Sequence, residues 1–269
     1  MGVDDPKVAT LRRAYASVEV FTRLLRLLRS LVPRLDSPRS RGVDYRAVTK
    51  VSGDIYRARR AYFERAYETG EHGWPTEGVS PMVARFLRTF RGRGRRVLDI
   101  GCGEGRHTRA FAGAGALAVG VDLEPKALAR AREAVERGSG RGPGFVQADV
   151  FALPFAPSTV DVVLDYGCLH HVRRRDTPRY LEHVVPLLKP EGSFLLSCFS
   201  TKFKHHAGER RTRDWLVHRG HYDRFFRRTD FDAIFGRAFE IIETTEDRDG
   251  LYVFYNVLMR KIRPAAGAG

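Results

Sequence analysis

The sequence predicts an α/β protein, a doubly wound, seven-stranded and mostly parallel sheet preceded by a helical N-terminal extension. Three observations carry that prediction. From about residue 81, short β-branched runs alternate with stretches of helical spacing. The first of those runs, "RVLDI" at 96–100, leads straight into "GCGEG" at 101–105, a turn with three glycines in five residues. The 269 residues suffice for one large domain of this class plus an extension, and are too few for two enzymes.

The elements read in order as follows. Val8, Leu11, Tyr15, Val18, Phe21, Leu25, Leu28 and Val32 recur at steps of three and four, which predicts a helix over 8–32 with Arg12, Arg13, Arg23, Arg26 and Arg29 on its other faces. Pro33 and Pro38 break it, and 33–42 reads as a linker. A second helix is expected over 45–67, then a loop at 70–75 carrying Trp74. Helix 81–89 precedes strand 96–100, a helix from 106, strand 116–122 and helix 125–137. Strands 145–149 and 160–165 follow, then a helix over 177–188 closed by "KPEG", and a fifth strand at 193–199. Two last strands, 239–245 and 251–259, flank a polar turn at 247–250, and this hairpin is expected to put one antiparallel strand at the sheet edge. The chain thus divides into an extension acting as a lid (1–80), a catalytic-type domain (81–263) and a flexible tail (264–269).

Composition narrows the function. No run approaches the roughly 20 apolar residues that cross a bilayer, and the first residues lack a secretory leader's apolar core, so a cytoplasmic location is expected. Cys102, Cys168 and Cys198 have no zinc-type spacing and are expected to be reduced, buried small hydrophobes; no metal is expected. The net charge of +15 points toward nucleic acid. Yet only seven of the 47 basic residues are lysine and the excess is scattered, so nucleic acid ranks second to a small-molecule acceptor. The basic first helix fits a lid, a subunit contact (a monomer or homodimer is expected) or an anionic membrane surface.

In a doubly wound sheet the ligand sits beyond the carboxyl ends of the strands, beside the first one, where "GCGEG" lies. Bare backbone there admits a close ligand. A phosphate loop would continue Gly-Lys-Ser/Thr, and a dinucleotide fingerprint would have glycine where Arg106 stands. Asp99 and Glu104 beside the turn would repel a pyrophosphate and suit a cation. S-adenosylmethionine has that profile: a sulfonium, an ammonium and a nucleoside, with no phosphate.

"VLDIGCGEG" (97–105) resembles the first motif of class I S-adenosylmethionine-dependent methyltransferases, a Rossmann-like family, and the likeness continues in order over about 81–259. The resemblance implies S-adenosylmethionine as cofactor, S-adenosylhomocysteine as product, and Asp99, Gly101, Cys102, Gly103 and Gly105 as cofactor-binding residues. It places Asp122 of "VGVDLEPKAL", with Leu123, on the ribose hydroxyls, and Asp149 and Val150 of "VQADVFALPF" on the adenine. Asp165 and Tyr166 of "FAPSTVDVVLDYGCLHHV" would lie near the cofactor, and "LLKPEGSFLLSCF" matches the turn into the fifth strand. Residues 62–87 also resemble the stretch entering the fold in thiopurine-methyltransferase-like enzymes, which implies that Trp74 helps to close the pocket. The aspartate that follows that tryptophan in the family is absent here, its place taken by Pro75 and Thr76.

Methyl transfer from a sulfonium needs alignment and exclusion of water, and a base only where the acceptor must lose a proton. His170, His171 and Tyr166, at the fourth-strand exit, are the catalytic candidates, either histidine being able to deprotonate an alcohol or thiol near neutral pH. The alternative is that one histidine packs and the other faces solvent. Segment 199–226 has little periodicity and reads as an acceptor wall in which His205, His206, Tyr222 and Arg224 touch substrate, or else as a solvated basic loop. The reaction expected is methyl transfer to an O, S or N atom of a small molecule. RNA or DNA methylation is the second reading, without the Asn/Asp-Pro-Pro-Tyr/Phe element of base-amino methylation. A non-catalytic cofactor-binding module is the third.

Overall fold

The first strand, β1 (Arg96–Ile100), buries Val97, Leu98, Asp99 and Ile100 in succession, so both of its faces are covered and both of its edges are paired. The computed structural model describes residues 45–70, 72–136, 142–206, 208–211, 213–218 and 221–263, without the side chains of 45–55 and 58. The expected helix at 8–32, the linker at 33–42 and the tail at 264–269 lie outside the described residues. Along the described chain β1 is followed by β2 (Leu117–Asp122), β3 (Gly144–Gln147), β4 (Val160–Tyr166), β5 (Leu188–Phe199), β6 (Trp215–His218), β7 (His221–Arg224), β8 (Phe239–Asp249) and β9 (Tyr252–Lys261). Seven of these form one sheet in the order β3-β2-β1-β4-β5-β9-β8. The chain reverses direction of travel across the sheet between β3 and β4, which makes the carboxyl ends of β1 and β4 the switch point.

The described α-helices are α1 (Tyr45–Thr69), α2 (Pro81–Thr89), α3 (Arg106–Gly113), α4 (Pro125–Glu136), α5 (Thr177–Val184) and α6 (Arg228–Phe235), with short 3₁₀ turns between elements. Met82 and Val83 of α2 and Phe111 of α3 pack with Val97, Val162, Leu164 and Leu195 of the central strands. Leu128 and Ala131 of α4 close on Phe145 of β3 in a separate cluster. No helix among the described residues is long and apolar enough to cross a membrane.

The turn into α3 depends on Gly105, which has φ +73° and on which a Cβ would stand 2.5 Å from the Phe145 ring and 3.3 Å from Ala131 Cβ. A left-handed side-chain residue and an overpacked contact each cost on the order of 1–2 kcal/mol. Gly105→Ala is therefore expected to lower unfolding free energy by about 2–4 kcal/mol, read from the urea midpoint. A midpoint equal to that of the wild type would refute this account of the turn.

Three expectations are corrected. The antiparallel strand is not the edge: β9 runs antiparallel to both β5 and β8, and β8 is outermost. The physical reason is burial. β9 has Val253, Phe254, Val257 and Met259 to bury, whereas β8 carries Glu240, Glu243 and Glu246, side chains that suit an open edge. The helix expected to 188 ends at Val184, a 3₁₀ turn spans Val185–Leu187, and "KPEG" belongs to β5, with Glu191 at φ +61°. Segment 199–226 is not aperiodic: β6 and β7 pair antiparallel within it, Trp215 opposite Arg224 and His218 opposite His221.

Candidate active site

The backbone N–H groups of Gly101 and Cys102 both donate to the Val121 carbonyl, at 2.8 and 3.0 Å, and this pulls the glycine turn under the end of β2. Gly101 has φ +68°, and a Cβ on it would stand 2.9 Å from Cys168 Cβ. Gly103 N–H then donates to Asp122 Oδ2 (2.8 Å) and Glu124 N–H to Asp122 Oδ1 (2.9 Å), so a single carboxylate ties together the turns after β1 and β2. The turn opens into a cavity of about 570 Å³, which also takes Leu123, Asp149 and Val150 into its lining.

Acidic side chains gather here. Asp99 is 2% exposed and accepts from Thr108 Oγ1 at 2.6 Å. Burial lifts its carboxyl to about 7, the Thr108 bond works against that, and the charges of Asp122 and Asp165 add to it. Burial also raises Asp122, against the backbone N–H groups that it accepts from. No Lys or Arg forms an ion pair with Asp99 or Asp122 among the described residues, whereas Glu104, the acid within the glycine turn, is bound by Arg130 Nη1 at 3.0 Å. Glu104 lines the cavity as well, but with its charge met by Arg130, whereas Asp99 and Asp122 line it without a Lys or Arg partner among the described residues. Two raised, unpaired carboxylates beside bare backbone fit a cationic nucleoside such as S-adenosylmethionine.

The other expected cofactor residues divide. Asp149 Oδ1 accepts from Phe151 N–H (2.9 Å), capping the 3₁₀ turn Val150–Ala152, and Asp149 still lines the cavity. Cys102 and Cys168 line it too, and burial pushes both thiols, with that of Cys198, well above their ordinary range. Asp165 is corrected: it does not line the cavity. It is fully buried and accepts from Tyr180 Oη (2.6 Å) and from the N–H groups of Cys168 (2.8 Å) and Leu169, which fastens the turn after β4. Tyr166 does line the cavity, but its hydroxyl donates to Asp249 Oδ2 at 2.6 Å. Arg106 Nη2 donates to the same oxygen at 2.6 Å and its guanidinium lies over the Tyr166 ring, so the end of β8 is tied to the start of α3. With burial and Asp249 holding its phenol well above the ordinary range, Tyr166 is a wall and not a base.

Both histidines of the β4 exit line the cavity. His170 is 2% exposed and its ring stacks on Phe199 at 3.7 Å; Phe199 N–H donates to its Nδ1 (3.3 Å) and its Nε2 lies 3.1 Å from His171 Nε2. Burial, with the neighbouring histidines, holds His170 well below the usual imidazole range. His171 Nδ1 faces Asp223 Oδ1 at 3.0 Å and the Tyr222 carbonyl at 3.2 Å. His205 lines the cavity, while His206 is exposed and does not. Tyr222 and Arg224 are corrected: Tyr222 packs on Trp215 and Arg224 donates to Thr177 Oγ1 (3.2 Å), and neither reaches the cavity. Trp74 is in the lining, half-buried, stacked on His72 at 4.5 Å and against Phe63 and Tyr67 of α1.

Residue-by-residue reading missed His221, Asp223, Tyr62, Phe63, Tyr67 and Asp249. His221 and Asp223 are two apart on β7 and point to one side, whereas Tyr222 and Arg224, the pair expected at the site, occupy the other. A strand assignment for "HYDR" would have found them.

Residues 97–192 match the methyltransferase-domain family. Over 130 residues the chain is 34% identical to a ubiquinone/menaquinone biosynthesis C-methyltransferase of Azotobacter vinelandii, covering 46% of this chain and 50% of that protein. Over 132 residues it is 33% identical to a ubiquinone biosynthesis O-methyltransferase of Thiobacillus denitrificans, covering 48% and 56%. The chain spans about half the length of the curated relatives that it matches. In fold it resembles the crystal structure of Burkholderia thailandensis 1,6-didemethyltoxoflavin-N1-methyltransferase, solved with 1,6-didemethyltoxoflavin and S-adenosylhomocysteine, at TM-score 0.62 and 24% identity over 77% of this chain and 89% of that one. With the strand order, the glycine turn and the acid ending β2 all in place, residues 97–192 are a methyltransferase domain set in a class I, S-adenosylmethionine-dependent methyltransferase fold.

Proposed function

We propose that the protein is an S-adenosylmethionine-dependent methyltransferase that methylates an O, S or N atom of a small molecule. The observation that carries this is the junction at Asp122: one carboxylate fixes the glycine turn through Gly103 and, with Asp99, gives the cavity two acids that no Lys or Arg pairs among the described residues. When bound, S-adenosylmethionine supplies an activated methyl group for in-line displacement. Asp122 would hold its ribose, Asp149 and Val150 its adenine end, and Gly101 and Gly103 would let it approach the backbone.

Beyond that pocket Phe63, Phe199, Phe203, Tyr252 and Phe254 line the cavity with His170, His171, His205 and His221, and Arg59, Arg60 and Lys204 are basic residues among them. Such a wall supports a flat, small acceptor more than a polyanion. An acceptor held against this wall loses its proton beside the histidine cluster. Trp74, with Phe63 and Tyr67, covers the pocket and keeps water from the reacting atoms.

The test is a screen of phenols, thiols, heteroaromatic amines and RNA with methyl-labelled cofactor. Label on a low-molecular-weight acceptor is the expected result. Label on RNA alone would overturn the small-molecule reading, and failure to bind the cofactor in calorimetry would overturn the activity.

A further inference from the structure

Asp223, on β7, is ringed by imidazoles. It is fully buried, and three imidazole nitrogens converge on it: His171 Nδ1 at 3.0 Å from Oδ1, and His205 Nε2 at 2.9 Å and His221 Nε2 at 3.1 Å from Oδ2. Neither oxygen accepts a well-aligned hydrogen bond among the described residues, and no Lys or Arg is paired with it there. A buried carboxylate is costly unless it is paired, and the three imidazoles are the groups at pairing distance here. The donor atoms of His171, His221 and Asp223 all lie within 4.8 Å of one another. In a tetrahedral site with bonds of roughly 2.0–2.2 Å, ligand atoms stand about 3.3–3.6 Å apart. The contacts of Asp223 with His171 and His221, at 3.0 and 3.1 Å, lie a little inside that spacing, and the whole donor set falls within 4.8 Å.

We propose that His171, His221 and Asp223, with His205 beside them, hold a divalent transition-metal ion of the zinc class in the wall of the cavity. The donor set is mixed nitrogen and oxygen, which suits zinc and not magnesium or calcium. Elements distant in sequence build it: the 3₁₀ turn Leu169–His171 after β4, the segment before β6, and β7. Three protein ligands leave an open position, the pattern of a catalytic ion and not of a structural one. Since His171, His205 and His221 line the cavity, that position faces the acceptor.

The role of the ion, though not its binding, rests on the methyltransferase reading. An acceptor X–H meeting the ion loses its proton to water as the X–metal bond forms, and the oxidation state of the metal is unchanged. The nucleophile is then held as an anion. This narrows the acceptor to a flat molecule whose methylated atom is a metal-binding phenol, thiol or heteroaromatic N–H, with Tyr62, stacked on His221 at 3.9 Å, beside it.

The experiment uses the untagged full chain, stripped with a chelator and titrated with zinc alone, and separately with cobalt(II), whose visible absorption reports nitrogen ligation. About one ion per chain is expected, with affinity falling about 100-fold or more in Asp223→Asn and His221→Ala and unchanged in His206→Ala. Cofactor affinity, measured on the same samples, is expected to stay within about threefold of wild type. A wild-type chain that takes up no zinc and shows no cobalt band overturns the proposal whatever the variants do, as does Asp223→Asn binding zinc like the wild type. Cofactor binding without zinc defeats the ion alone; zinc binding without cofactor defeats the methyltransferase reading alone.

Discussion

Asp122→Ala is expected to weaken S-adenosylmethionine binding by roughly 10²–10³-fold while leaving the protein folded. The carboxylate accepts from Gly103 and Glu124 N–H groups and keeps lone pairs on both oxygens for the ribose hydroxyls. Each hydrogen bond to a charged group contributes about 1.5–3 kcal/mol, and the glycine turn is released at the same time. Calorimetry measures it, and an affinity within threefold of the wild type would falsify the site assignment. The same pocket carries a pH signature. With the Asp99 carboxyl at about 7 in the free protein, binding a cation favours its ionised form. Affinity is therefore expected to rise between about pH 6 and 8 as the proton no longer has to be displaced. Asp99→Asn is expected to flatten that slope, and an unchanged slope in the variant would point to another group.

His171→Ala is expected to lower methyl transfer by about two to four powers of ten, with cofactor affinity unchanged. His171 joins two groups of the site: His170 Nε2 lies at 3.1 Å from one ring nitrogen, and Asp223 Oδ1, at 3.0 Å, and the Tyr222 carbonyl lie on the other. His170 is the weaker candidate, since burial keeps it neutral and Phe199 both stacks on its ring and donates to it. Single-turnover rates at saturating cofactor separate the chemical step from binding. Wild-type turnover in both His170→Ala and His171→Ala would remove the histidines from the chemistry.

The sheet was legible because a strand buried on both faces leaves a mostly apolar, β-branched run, and "RVLDI" and "VDVVLDY" are such runs despite the acids in them. The cofactor pocket was legible because glycines and acids at strand ends answer to local backbone geometry. Asp165 marks the limit of that logic. It stands at the end of β4 much as Asp99 does on β1, yet its oxygens are consumed by Tyr180 and two backbone N–H groups, a fact that depends on α5 packing over it. The acceptor wall was least legible. Reading 199–226 as a loop gave no reason to prefer His221 and Asp223 to Tyr222 and Arg224. Only the pairing of β6 with β7 sets the two-residue period that sends one pair inward. Nor could Tyr62, Phe63 and Tyr67 be placed from sequence, because α1 meets the cavity through tertiary contact alone.

Asp249 accepts from both Arg106 and Tyr166, so the terminal hairpin is buckled to the helix that begins at the glycine turn. During synthesis the glycine turn emerges well over a hundred residues before its buckle. A ribosome-bound chain stopped short of residue 249 would own the fingerprint of the pocket without the clasp that shuts one side of it. The last two strands of the sheet and the last wall of the cavity thus belong to one late stretch of chain.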